Sequence, residues 1–206
     1  MTNFSIVIAT YNQKEEWLNQ AIESALKVSD DVIVVNDGGE YLDRFIDYSE
    51  NFTFIHFSSN SGVAHARNQG IRYAIHDYII CLDSDDILEE RIKDIECTTD
   101  IVAIGHKHFG EQDNIHLPKE NLTLEDFKDY NQMCVSSPFK KSIWEKVGGF
   151  DEMLTGYEDW EFWIRCLRAG ATISIVKEPL LNYRIHSNGR NKEAIKNHNQ
   201  LKQIIW

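Results

Sequence analysis

The chain has 206 residues, 42% of them hydrophobic, which supplies one sizeable core and predicts a single domain. A formal charge of −12 disfavours nucleic acid as a bulk electrostatic partner, so an anionic ligand would need a bound cation or local dipoles. No window approaches the roughly 18 apolar residues of a membrane span. No basic segment leads into a long apolar stretch either, and a soluble, unprocessed chain is expected.

The elements follow in chain order. Residues 4–10 (FSIVIAT), 31–37 (DVIVVND), 52–58 (FTFIHFS) and 77–83 (DYIICLD) are short, β-branched and mostly continuous in hydrophobicity, as strands covered on both faces are. Between them, residues 14–28 place Leu18, Ile22, Ala25 and Leu26 on one helical face, and residues 63–75 do so with Ala64, Ile71 and Ile75. This alternation predicts a mostly parallel sheet with helices on both faces through about residue 96.

The second half is less regular. A strand is expected over 100–110, a short helix over 123–130, and a helix over 138–151 stopped by Gly148 and Gly149. Another helix over 158–170 stops at Gly170, extended structure follows over 171–186, and residues 191–206 read as a helix or tail. Trp160 and Trp163, three apart on one helix, suit core packing for at least one of the two. The four cysteines, Cys81, Cys97, Cys134 and Cys166, lie far apart with no C-x-x-C pair, which predicts reduced thiols and a cytoplasmic location. His106 and His108 alternate along a strand and share a face; with no third ligand evident, an acceptor-facing or exposed strand is favoured over a transition-metal pair.

In an open α/β sheet the ligand crevice lies beyond the carboxyl ends of the parallel strands. The residues there are Thr10-Tyr11-Asn12, Asp37-Gly38-Gly39, Ser58 to Gly62, and Asp83-Ser84-Asp85-Asp86. Three carboxylates within four residues repel one another unless they share a cation, and oxygen ligands suit Mg²⁺ or Mn²⁺. The competing explanation is that Asp85 or Asp86 caps a helix over 87–95. Tyr11 can stack on a flat base or be a packed loop aromatic, and Asp37, beside two glycines, can accept a ring N–H or simply belong to a tight turn. Arg67 can brace the aspartates or a diphosphate, or else form a surface ion pair.

Five blocks, residues 6–26, 32–39, 60–71, 79–88 and 148–170, resemble in order and spacing the family 2 glycosyltransferases of the GT-A fold. The resemblance spans roughly residues 4–187. It implies a Rossmann-like, mostly parallel central sheet with a smaller irregular C-terminal half: a domain over 1–188, nucleotide-binding over 1–96 and acceptor-side over 97–188, then a helix or tail over 189–206. It implies inverting transfer of a sugar from a nucleoside-diphosphate donor with Mn²⁺ or Mg²⁺. Ala9, Thr10 and Tyr11 would border the base, commonly uracil, and Asp37 would bind it. Asp83, with Ser84 beside it, would hold the ribose side, Asp85 the metal and diphosphate, and Arg67 the nucleotide side. Asp159 matches the catalytic base, and His186 matches a histidine that joins the metal or phosphates in some members. Asn36 stands where many relatives carry a further aspartate.

The acceptor hydroxyl, on a saccharide, a lipid-linked sugar, a protein or a modified base, is not identified by these residues. A sugar nucleotidyltransferase would carry a glycine-rich loop with a basic residue after the first strand, which "IATYNQKEE" lacks. A non-catalytic nucleotide-sugar-binding module would not need both Asp85 and Asp159.

Overall fold

The structure is a computed structural model that describes residues 2–40, 51–186 and 198–206. Strands β1 (Phe4–Thr10), β2 (Val32–Asp37), β3 (Phe52–Phe57) and β4 (Tyr78–Asp83) run parallel in the order β3-β2-β1-β4. Helices α1 (Glu15–Leu26) and α2 (Val63–Tyr73) follow β1 and β3. The sheet continues through strands that are not consecutive in sequence. These are β5 (Ile87–Leu88), β6 (Ile101–Gly110), β8 (Phe139–Lys140) and β9 (Ile173–Ile185), in the order β4-β8-β6-β9-β5, with β7 (Ile115–His116) pairing against β6.

Alternation along each strand divides the core between the two faces of the sheet. Ile6, Ile8, Val32 and Val34 pack with Leu18, Ala21, Ile22 and Ala25 of α1. Val7, Ala9, Ile33 and Val35 face the other way, onto Ala64, Ala66 and Ile71 of α2. Fully burying one such Ile or Val side chain is worth roughly 1.5–3 kcal/mol. The second face also receives α3 (Lys141–Val147) and α4 (Glu158–Arg168), whose Trp160 and Trp163 are fully buried. Helix α5 (His198–Ile205) adds Ile205 to that core; residues 189–197 of the expected C-terminal helix or tail lie outside the described residues.

The sheet is thus mixed: β8 is antiparallel to both β4 and β6, whereas β6 and β9 are parallel. Several local expectations change. Residues 87–95 form β5 and a 3₁₀ turn at Glu90–Asp94 instead of a helix, so neither Asp85 nor Asp86 is a helix cap. The helix expected from Pro138 begins at Lys141, because Phe139 and Lys140 fill a sheet gap between β4 and β6. Residues 124–127 make only a 3₁₀ turn, closed by reciprocal bonds between Thr123 and Asp126. Helix α2 stops at Tyr73, which leaves Ile75 73% exposed, and β3 lies at the sheet edge, only partly covered.

Candidate active site

The loops leaving β1, β2 and β4 open onto one cleft of about 970 Å³, which gathers Ala9, Thr10, Tyr11, Asp37, Asp83, Ser84, Asp85 and His186. Arg67 and Asp159 line a second recess of about 410 Å³. Asp83, Asp86, Tyr183 and Ile185 belong to both walls. Every residue expected from the sequence to bind donor or metal or to act as base therefore lines one of two cavities that meet at the aspartates ending β4.

The loops after β1, β2 and β3 are tied to one another. Both Asp37 oxygens accept backbone N–H bonds from the start of α2, Ser61 at 3.1 Å and Gly62 at 2.7 Å. Asp37 thus fixes that loop before it does anything to a ligand. Asn36 folds the next turn, accepting from Gly39 N at 3.0 Å and donating to Glu40 O at 2.7 Å. Gly38 sits at φ +75°, and a Cβ there would lie 2.2 Å from the Ser59 carbonyl carbon, so the close approach of these two loops requires glycine. Asn12, at φ 49°, turns the chain after Tyr11, which is left 53% exposed at the cleft.

At the end of β4 the carboxylates are crowded. Burial first, and then Asp83, raise Asp85 above the usual carboxylate range, against the hydrogen bond to His186 that lowers it. His186 Nε2 lies 2.9 Å from Asp85 Oδ2. Asp86 is more extreme: burial, with Asp83 and Asp85 beside it, pushes it well above that range. Its Oδ1 accepts the Arg184 backbone N–H at 2.8 Å, while Oδ2 is buried without a hydrogen-bond partner among the described residues.

Arg67 is not on the surface but 1% exposed. Its Nη1 donates to Glu158 Oε1 at 2.7 Å and its Nη2 to Asp83 Oδ1 at 2.5 Å. Burial works against its charge, yet Asp83 and Glu158 outweigh that and push its pKa up. Beside it, Asp159 is raised to about 6, by burial first and then by Glu158. Asn131 Nδ2 donates to Asp159 Oδ2 at 2.9 Å, and the carboxylate stays partly open to the recess. Tyr157, at φ 60°, is the residue that turns the chain into α4 and delivers Glu158 and Asp159 to this spot.

A family model described as glycosyl transferase family 2 matches residues 5–141. The chain belongs to that family. Among curated relatives of this glycosyltransferase, the dTDP-rhamnosyl transferase RfbF of Shigella flexneri is 30% identical over 200 residues, covering 86% of this chain and 67% of its own. An Escherichia coli UDP-Gal:alpha-D-GlcNAc-diphosphoundecaprenol beta-1,3-galactosyltransferase is 28% identical, covering 98% and 79%. The crystal structure of Staphylococcus aureus TarS 1-349 in complex with UDP-GlcNAc superposes at a TM-score of 0.77 with 18% identity. That likeness shows the shared GT-A type fold; it covers 99% of this glycosyltransferase and 66% of the TarS chain.

Several site residues of the glycosyltransferase carry no motif and were not singled out from sequence. Arg184 bolts the end of β9 to the acidic loop, donating from Nε to Asp85 O at 2.7 Å, with its guanidinium 4.8 Å from the Trp17 ring. Trp17 also meets the His186 ring at 4.8 Å. Its signal was available: Trp17 lies off the stripe that Leu18, Ile22 and Ala25 define on α1, and a tryptophan on a polar face needs another partner. Asn131 and Tyr183 gave no comparable sign.

Proposed function

We propose that this glycosyltransferase performs metal-dependent inverting transfer of a sugar from a nucleoside-diphosphate donor, UDP-linked in our reading, to an acceptor hydroxyl. The observation that carries it is Asp159: a carboxylate raised to about 6, partly open, in a recess that shares Asp83 and Asp86 with the larger cleft. A base is needed on one side of the anomeric carbon and the leaving diphosphate on the other, and this arrangement supplies two such sides.

In this reading the donor lies in the cleft with its base against Tyr11 and near Asp37. The ribose lies beside Asp83, the diphosphate reaches Asp85, and the acceptor enters the recess beside Asp159. The donor set fits a hard divalent cation: Asp85 offers oxygens and His186 a borderline nitrogen that Mn²⁺ accepts, around carboxylates already crowded enough to favour one. When bound, such an ion offsets the charge that gathers on the leaving diphosphate. Asp159 takes the proton of the acceptor hydroxyl as its oxygen forms the new bond to the anomeric carbon and the bond to the diphosphate oxygen breaks with inversion. A placed general base is worth roughly 10²- to 10⁴-fold in rate. Arg67 holds Glu158 and Asp83 as a paired set, and Asn131 orients Asp159.

A pyrimidine donor is supported by the relatives, one solved with UDP-GlcNAc, one named for UDP-Gal and one for dTDP-rhamnose. The lipid-linked acceptor in the Escherichia coli name supports a lipid-linked sugar among the four acceptor classes. The test is a thermal-shift panel of UDP, dTDP, GDP and ADP with and without Mn²⁺. UDP with Mn²⁺ should raise the midpoint most, and a chain indifferent to all four with Mn²⁺ present would sink the proposal.

A further inference from the structure

Three histidines meet on one face of the β6–β7 pair. His106 and His108 are two apart on β6, and His116 on β7 pairs directly across from His106. Strand alternation and cross-strand pairing project all three the same way. One nitrogen from each lies within 4.8 Å of the others, and the ring centroids stand 4.4, 4.9 and 5.3 Å apart. A register shift against β9 falls just before His106, at Gly105, the kind of irregularity that re-aims a side chain.

Ring stacking alone accounts poorly for this cluster. The His108 Nδ1 atom is buried and has no hydrogen-bond partner among the described residues. An imidazole nitrogen with no protein partner is free to serve as a metal ligand.

We infer that His106, His108 and His116 form a binding site for a borderline transition-metal cation, Zn²⁺ or its substitutes Co²⁺ and Ni²⁺, separate from the carboxylates at Asp85. An all-nitrogen set suits these ions and not Mg²⁺, whereas the acidic loop has the opposite preference, so the two sites take different metals. Three protein ligands leave a coordination position for water or an exchangeable group. Because His106 and His108 also line the recess that holds Asp159, the ion stands at the wall of that recess, where it can take an oxygen or nitrogen of a bound molecule. It also pins the short β7 strand to β6. His116 supplies the third candidate ligand that was not evident in the sequence, and the place of His106 and His108 in the recess agrees with the acceptor-facing strand expected there.

The test is a titration of the tag-free, chelator-stripped chain with Co²⁺ in excess Mg²⁺, read by visible absorption. A band saturating at one ion per chain is expected. His116→Ala, at an exposed position, and His108→Ala should each weaken binding roughly tenfold or more, the scale that even a supporting residue commands. Asp85→Asn, which removes the acidic site, should keep the band. No saturating band, a band unmoved by both histidine variants, or a band lost in Asp85→Asn overturns the assignment.

Discussion

Arg67 and Glu158 form a buried ion pair, Nη1 to Oε1 at 2.7 Å, that joins α2 to the first turn of α4. The same guanidinium reaches Asp83 with its other arm, so it ties the recess to an aspartate that both cavities share. Removing it takes the guanidinium charge away from Glu158, which is only 4% exposed. Breaking a buried pair from one side costs about 3–5 kcal/mol. Arg67→Met should lose stability on that scale in urea titration, and Arg67→Met with Glu158→Gln should recover much of it. A loss under about 1 kcal/mol in the single variant would place the pair among weak surface bridges.

Asp159 links activity and stability to pH in opposite directions. Its folded-state pKa of about 6 lies above the ordinary 3.8, so folding favours the protonated form. Its contribution to stability is therefore full below about 3.8 and lost as pH climbs through about 6. A base must be ionised, so transfer should rise over that same window. Asp159→Asn should remove most transfer while gaining stability over the wild type from pH 4 to 7, on the order of 1 kcal/mol. Denaturation curves at several pH values check the sign; a gap that closes with rising pH contradicts it.

Much of the fold was readable because the first half obeys one simple rule. Strands such as Phe4–Thr10 are buried along their whole length and announce themselves as continuous apolar runs, and α1 shows its core stripe. The second half fails that rule for physical reasons. Two residues, Phe139 and Lys140, suffice to fill a sheet gap, and no periodicity can be read from two residues. Asp85 and Asp86 look like helix caps because local sequence cannot reveal that β9 returns from about a hundred residues away to pair with β5. Arg67 shows the same limit, since its burial depends on Glu158, 91 positions later. His116 was not grouped with His106 and His108 because the β7 pairing that brings it to His106 leaves no pattern in a two-residue strand.

Tyr11 lines the cleft and is 53% exposed, so its ring is available to a ligand there. Base stacking on an aromatic side chain is worth about 1–3 kcal/mol. Tyr11→Ala should weaken UDP binding roughly 5- to 150-fold by calorimetry. Tyr11→Phe should bind nearly as the wild type does, because stacking uses the ring and not the hydroxyl. Equal affinity in Tyr11→Ala would move the base elsewhere in the cleft.

Asp85 and His186 make contact at 2.9 Å in a place where neither burial nor Asp83 favours a second negative charge. If the acidic loop serves a cation, Mn²⁺ should raise the melting temperature of the wild type, because it relieves that repulsion only in the folded chain. Asp85→Ala removes the repulsion and the ligand together. It should melt no lower than the metal-free wild type, lose the Mn²⁺ response, and lose most transfer. His186→Ala keeps the carboxylates and so should keep a response, with the half-saturating Mn²⁺ concentration for transfer raised roughly tenfold or more. A His186→Ala enzyme with unchanged Mn²⁺ dependence would restrict the histidine to positioning Asp85 and stacking on Trp17, and near-normal turnover in Asp85→Ala would remove the cation from this loop altogether.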